Sequence, residues 1–169
     1  GSLAGLEAVA WENVSQLGWL VLEDIDLTQL DCERLSGLKD CTELKLASDS
    51  LADQQLKLLT MQKLNMLSLV GSNFSDAGLA CLAGSPDLQF LSIRNSRVTG
   101  SGLRSLPATA ELLMLNLDGS GITAEGLQNL SRHRLLSMLQ VRSTPLSKED
   151  ILNLTAILPK ECVLQADSK

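Results

Sequence analysis

The sequence contains no tyrosine and only one histidine, and aromatic residues account for 2% of it. A domain built around one central core usually gains much buried area from rings, so this scarcity is unusual. Apolar residues nevertheless make up 44% of the 169 residues, and leucine is the most frequent of them. The chain is long enough for a single domain with a sizeable core, in which leucine takes the place of the aromatic residues.

A basic surface is also missing. The net charge is −6, with 4 Lys/Arg and 11 Asp/Glu in residues 1–60 (net −7) and 10 against 9 in residues 61–169 (net +1). Phosphate binding requires clustered Lys and Arg, so we expect no nucleic-acid partner. The sequence has no run of about 18 apolar residues, which predicts no membrane insertion. No basic segment followed by an apolar one is visible near its start, and a targeting segment outside this sequence stays an open alternative. The acidic first third is either a solvated flank or a docking surface.

Leucine recurs in columns at steps of 24 or 23 residues. A Leu-x-x-Leu-x-Leu pattern is repeated six times, with Leu20, Leu44, Leu67, Leu91, Leu115 and Leu139 as its middle leucines. Further apolar columns keep the same register; one contains Leu27, Leu51, Phe74, Val98, Ile122 and Leu146, and another Leu35, Leu59, Leu82, Leu106, Leu130 and Leu154. Recurrence at a fixed period is typical of repeat architectures, in which single units cannot close a core and stacking buries it.

At these residues the sequence resembles the leucine-rich-repeat family. The segments 73–79, 97–103 and 121–127 are similar to the Ile-Thr-Asp-x-Gly-Leu signature of its bacterial and cysteine-containing subclasses. The resemblance implies an α/β fold: a right-handed solenoid with a parallel concave β-sheet and short helices on the convex side. Where the family usually has Asn, Cys or Thr, this chain has Asp49, Ser72, Ser96, Ser120 and Thr144, which could form a hydroxyl ladder to the backbone of adjacent turns.

The residues themselves favour the same local structure. Alternation in Leu-x-Leu is what a short strand with one buried face requires. After each strand a hydroxyl residue stands where a helix would begin, so we expect N-caps at Thr28, Ser75, Thr99, Thr123 and Ser147. Acidic residues in the following turns, such as Asp76, would favour each helix dipole. Gly78, Gly102 and Gly126 recur with the repeat and are interpreted as close-packing positions and not as a phosphate loop.

We predict one leucine-rich-repeat domain over residues 1–169. Within it, residues 1–16 form a partial N-terminal repeat or a helical cap, and residues 17–157 form six repeats. Residues 158–169 provide a terminal strand around Cys162–Leu164 and a tail, Gln165–Lys169, that frays. The chain could also be part of a longer parent protein.

Neither a metal site nor a catalytic site is expected. Cys32, Cys41 and Cys162 occupy leucine columns and Cys81 lies between two leucines, so buried thiols are favoured over a disulfide or zinc, and a reducing compartment is weakly favoured. His133 follows a helix between two arginines, where we expect a solvent-exposed turn. No phosphate-loop, G-x-S-x-G or H-E-x-x-H motif occurs. We therefore predict that the protein binds no cofactor and no metal and is not an enzyme.

A candidate partner-binding stripe precedes the middle leucines on the concave face. It contains Trp19, Met66, Phe90, Met114 and Met138, with Glu43 in the same column, and Met and aromatic side chains adapt well to partner surfaces. Arg94 and Arg142 flank it, with Glu23 and Asp118 in their column, as a polar rim suited to protein. The alternative is structural: these side chains could simply fold over neighbouring turns and shield the core.

These features favour a protein-binding scaffold without chemistry of its own, whose partner is another protein of unknown identity. The alternative is the substrate-recognition arm of a larger enzyme or effector, for example a ubiquitin-ligase adaptor, with its other domains outside this sequence. Both interpretations rest partly on fold analogy.

Overall fold

The structure is a computed structural model that describes residues 17–24, 26–28, 37–57, 59 and 63–167. Seven parallel strands form one sheet in which each strand pairs with the next along the chain. The strands are β1 (Trp19–Glu23), β2 (Glu43–Ala47), β3 (Met66–Val70), β4 (Phe90–Arg94), β5 (Met114–Asn116), β6 (Met138–Gln140) and β7 (Val163–Gln165). The sheet is open, because β1 and β7 each pair on one side only within it. This is the predicted leucine-rich-repeat solenoid.

The strands follow the predicted leucine register. In β4, Leu91 and Ile93 are buried while Phe90, Ser92 and Arg94 lie on the other face. Middle leucines pair with middle leucines from one strand to the next, as Leu67 does with Leu91. The Leu-x-Leu alternation therefore sorts side chains between the core and the concave face in every coil.

Short helices return the chain behind the sheet. Within the described residues the α-helices are α1 (Asp53–Leu56), α2 (Ala124–Leu127) and α3 (Lys148–Ile157), and 3-10 helices span Gly78–Gly84, Ser101–Ser105 and Gln128–Arg132. Their leucines join the strand leucines in a continuous core, as Leu79 and Leu82 do. Phe74 stands in a leucine column and is completely buried. Removing one such side chain, as in Leu115→Ala, typically costs about 2–5 kcal/mol of stability.

Two of the expected N-caps are confirmed. The Thr123 and Ser147 side chains accept hydrogen bonds from the backbone N–H groups of Gly126 and Asp150. Thr28 instead bonds to Asp26, and the helix expected after it lies outside the described residues.

The expected cap at Thr99 is wrong, and Ser75 forms only a local bond of this kind, in which its hydroxyl accepts from the Ala77 N–H at 3.4 Å. The 3-10 helices that follow them start later, at Gly78 and Ser101, and have no side-chain cap. Both hydroxyls donate to an aspartate of the preceding coil: Ser75 to Asp53 and Thr99 to Asp76. These aspartates join neighbouring coils, a role that helix-dipole reasoning within one coil does not reveal.

At three of the predicted ladder positions a hydroxyl bond lies within a single coil; at Ser96 the hydroxyl accepts from the Val98 N–H. The Ser120 hydroxyl donates to the Leu117 carbonyl and the Thr144 hydroxyl to the Val141 carbonyl, each within its own coil. The connection between coils is made one position later, where the Asn73 amide donates to the Asp49 carbonyl. Buried hydroxyls are satisfied by the nearest carbonyl, which here is three residues back.

The recurring glycines lie where coils approach most closely. A Cβ added at Gly126 would stand 2.0 Å from the Thr99 carbonyl oxygen, and one at Gly102 would stand 2.7 Å from the Asp76 carbonyl oxygen. Backbone atoms of the preceding coil fill the space that a side chain would need. The interpretation of these glycines as packing positions is confirmed.

The end of the chain is more ordered than expected. The Gln165 carbonyl accepts from the Val141 N–H, and its side chain bonds to Gln140 and Arg142. The Asp167 carboxylate accepts from the Ser143 N–H. Fraying of the tail is therefore wrong for residues 165–167, because these groups continue the bonding pattern between coils. Residues 168–169 and the predicted cap at 1–16 lie outside the described residues.

The three cysteines within the described residues are Cys41, Cys81 and Cys162, and none forms a disulfide. Burial raises the pKa of the Cys41 and Cys162 thiols, which keeps them protonated at neutral pH. Cys32 lies outside the described residues.

Candidate binding surface on the concave face

The register of the sheet brings the predicted stripe residues into one line. Trp19 pairs with Glu43, Glu43 with Met66, and so on along the sheet to Met138 and Val163. We call this line, at the first residue of each strand, the concave stripe; its members are Trp19, Glu43, Met66, Phe90, Met114, Met138 and Val163. Val163 was not singled out from the sequence, although it stands 25 residues after Met138 and just before the last strand leucine.

Exposure changes along the concave stripe. Trp19 is 66% exposed, Met66 39% and Val163 52%, whereas Phe90, Met114 and Met138 are half-buried. Half-burial means that the central side chains cover part of the neighbouring coils while their outer surfaces remain open. A line of large apolar groups of this kind is more than the scattered exposure that monomers normally show.

A groove runs along the first five strands of the sheet. It encloses about 300 Å³ and its lining is mostly apolar. Trp19 and Val21 line one end and Met114 the other, with Met66 and Phe90 between them. A concave apolar surface with a few polar groups is where proteins usually bind their ligands.

A middle column of polar side chains borders the concave stripe. Ser68, Ser92, Asn116 and Gln140 follow one another there, two residues after the stripe positions. At its first end, Lys45 forms an ion pair with Glu23, and both side chains are partly exposed. This column offers hydrogen-bonding groups with little uncompensated charge.

The predicted rim lies on the far side of that column, at the ends of the strands. Arg94 is exposed, and its guanidinium forms no ion pair or hydrogen bond with any described residue. Arg142 is also exposed, but its side chain donates to Gln165. Asp118 accepts a hydrogen bond from the Arg142 backbone N–H. Arg94 is therefore the rim cation that remains available to a partner.

His133 lies in the core, so the expectation of a solvent-exposed turn is wrong. It is 3% exposed, and its Nε2 accepts a hydrogen bond of 3.3 Å from Arg132 Nε. Its carbonyl accepts from the Leu136 N–H, as the carbonyls of Leu38 and Ser85 accept from the residue three further on. Leu38 and Ser85 are buried too, whereas Thr109, at the same repeat position, is exposed. The repeat position therefore accommodates a buried side chain at residue 133 despite the flanking arginines.

The surroundings of His133 hold the imidazole in its neutral form. Desolvation, followed by the charge of Arg132, lowers the pKa of His133, and the Ala110 carbonyl acts in the opposite direction. The Arg132 guanidinium also donates to three carbonyls of the preceding coil, those of Leu103, Arg104 and Leu106. The pair joins two coils and does not face the groove.

Neither a metal cluster nor a membrane-spanning helix is found in the part of the chain that the structure describes. No group of three or more His, Cys, Asp or Glu side chains there could hold a metal ion. None of the helices in these ranges has the length and apolar character needed to cross a bilayer.

The architecture and the surface together define a leucine-rich-repeat fold with an open concave face. Two solved structures from Listeria monocytogenes are similar to this chain. Internalin C2 is 22% identical, with a TM-score of 0.61 over 88% of this chain and 60% of its own. The internalin inlF is 19% identical, with a TM-score of 0.53 over 92% of this chain and 51% of its own. The chain thus spans about half to three fifths of these structures. No family model matches it, and no curated protein matches it.

Proposed function

We propose that this chain is a protein-binding recognition domain that docks its partner on the concave stripe. The observation that carries the proposal is the line of Trp19, Met66, Phe90, Met114 and Met138 on one open face. Large adaptable side chains around a groove, with a polar column beside them, are typical of the centre and rim of protein interfaces. Partial exposure argues against a purely structural role for the stripe, because Trp19 and Met66 leave much of their surface open.

We further propose that the chain has no catalytic activity of its own. A general base must reach a substrate proton, and His133 has its Nε2 engaged with Arg132 in the core. The acidic groups with lowered pKa values, such as Asp76 and Asp150, accept hydrogen bonds from backbone N–H groups. These carboxylates therefore have a structural role.

The subclass of repeat is also a proposal. The bacterial or cysteine-containing form is supported by the glycines at Gly78, Gly102 and Gly126, whose close contacts with the preceding coil explain why the position before each helix leucine stays small.

The test compares partner retention by surface variants. Phe90→Ser and Met114→Asp change the groove, and Leu152→Asp on α3 is the matched control, since Leu152 is 70% exposed and lies away from the groove. Proteins captured by the wild type should be retained by the Leu152 variant. Their affinity for the Met114 variant should fall by at least about thirtyfold, as for an interface hot spot. Circular dichroism should show all three variants folded. Equal retention by the groove variants and the control would remove the concave stripe from the proposal.

A further inference from the structure

Resting on the proposed function, we infer that the segment docking on the concave stripe is an amphipathic α-helix of a partner protein. The helix lies across the strands, along the solenoid axis, with an acidic side chain facing Arg94 and a basic side chain facing Glu43. Dimensions, periodicity and charge each support this occupant.

The concave face formed by strands β1–β7, called the floor below, has the width of a helix. Its strands are three to five residues long, which corresponds to about 10–17 Å. A helix with its side chains is about 10–12 Å wide. In the other direction, seven strands about 4.8 Å apart extend over about 29 Å, the length of a helix of roughly 19 residues. A helix along the axis therefore fills the floor in both directions.

The spacing of the concave stripe also matches a helix. Adjacent stripe residues lie about 4.8 Å apart, because they occupy neighbouring strands. The turns of a helix repeat about every 5.4 Å, so three or four turns stay within about 2 Å of register. An extended chain repeats the same face at about 6.6 Å and loses register within two strands. Apolar residues at helical spacing can thus meet Met66, Phe90, Met114 and Met138 in succession.

Two charged groups on the floor have no counter-ion within the described residues. The Glu43 carboxylate lies in the concave stripe itself, next to Met66, and forms no ion pair there. The Arg94 guanidinium lies two strands further along and across the polar column. Lys45, which lies between them, is already paired with Glu23. A complementary helix needs a cation one turn before its apolar run and a carboxylate on its flank about two turns later.

The test uses three designed peptides of about 18 residues, each carrying a fluorescent label. The forward peptide is stabilised as a helix and has leucines at helical spacing, a lysine one turn before them and a glutamate on the flank two turns later. The exchanged peptide has the lysine and glutamate swapped, with identical composition and net charge. The third peptide is the forward sequence with a central proline, which breaks the helix. Binding to the full chain is measured by fluorescence anisotropy.

We expect the forward peptide to bind about tenfold more tightly than the exchanged peptide, the size of effect expected when an attractive contact becomes a like-charge contact. It should also bind about tenfold more tightly than the proline peptide, whose helix is broken. The double variant Glu43→Lys with Arg94→Glu should prefer the exchanged peptide. Arg134→Glu is the matched control: Arg134 is exposed in the turn before β6 and outside the sheet, and its reversal should leave the preference for the forward peptide unchanged.

The inference is overturned if the forward peptide fails to bind, if the two charge isomers bind equally, or if the proline peptide binds as tightly. The three peptides also separate this inference from the proposed function. If all three peptides bind equally to the wild type and Met114→Asp weakens their binding, docking on the concave stripe stands but the helical occupant is contradicted. Binding that Met114→Asp does not change would contradict both.

Discussion

Asp76 connects two coils through a single carboxylate, and its loss should be one of the most damaging polar substitutions in the chain. One oxygen accepts from the N–H and hydroxyl of Thr99, both at 2.8 Å. The other accepts from the N–H groups of Gly100 at 3.0 Å and Gly102 at 2.7 Å. In Asp76→Asn, one oxygen becomes an NH₂ group that faces two donors. Two acceptor contacts are lost, and the negative charge that strengthens the others is lost with them.

The expected destabilisation is about 3 kcal/mol. Hydrogen bonds to charged groups contribute about 1.5–3 kcal/mol each. Simple addition over four bonds would overshoot, because they share one carboxylate and because Thr99 is exposed, so water replaces part of the loss. About 3 kcal/mol is still a large share of the roughly 5–15 kcal/mol that stabilises a typical domain.

Urea unfolding followed by circular dichroism measures this difference. Asp87→Asn is the matched control, since Asp87 is exposed and its carboxylate forms no hydrogen bond with the described residues. The control should change the free energy of unfolding by less than about 0.5 kcal/mol. Equal stability of the two variants would show that the carboxylate of Asp76 does not hold the coils together.

Acid titration provides a second check on Asp76. Desolvation acts to raise the pKa of Asp76, but hydrogen bonds from Gly102, Thr99 and Gly100 outweigh it and lower the pKa below 3.8. A lowered folded-state pKa means that the contribution to stability is complete above pH 3.8 and is lost as the pH falls through the folded-state value. The stability gap between the wild type and Asp76→Asn should therefore narrow in that acidic range. A constant gap would contradict the assignment.

Three further outcomes are expected. Desolvation and Arg132 lower the folded-state pKa of His133 below 6.5, so its contribution to stability is complete above pH 6.5 and is lost as the pH falls towards the folded-state value. His133→Gln should therefore flatten the dependence of the free energy of unfolding on pH in this range. An unchanged pH dependence in the variant would refute the role of His133. Gly126→Ala should cost about 3 kcal/mol or more in thermal or urea unfolding, since its Cβ would meet Thr99 backbone. Gly84→Ala has open space and should stay within about 1 kcal/mol of the wild type; similar losses in both would contradict close coil contact at Gly126.

The sequence predicts the stacking of coils but not all the polar contacts between them. Strand positions and the concave stripe follow from the 24-residue step, because inward and outward residues alternate and the step preserves the phase. The roles of Asp53 and Asp76 do not follow, since local helix reasoning assigns each acidic residue to its own coil. Columns had to be compared between coils to find these partners.

His133 also shows that reasoning from neighbours in sequence can fail. Its neighbours in sequence are arginines, which favour exposure, but its repeat position is occupied in other coils by Leu38 and Ser85, which are buried, and by Thr109, which is exposed. At His133 the repeat position outweighs the polarity of the neighbouring residues. Leu17 departs in the other direction: it is 37% exposed, although Cys41, Leu64 and Leu88 in the same column are buried.

The alternation of side chains along the strands is the central claim, and thiol labelling tests it most directly. Single cysteines are introduced by Met114→Cys and Leu115→Cys, and their reaction rates in the folded protein are read by mass spectrometry of the labelled peptides. Met114 lies on the concave stripe and Leu115 is completely buried one residue later. We predict rapid labelling at 114 and strong protection at 115. Equal rates at the two positions, or faster labelling at 115, would contradict the register on which the fold and the binding surface depend.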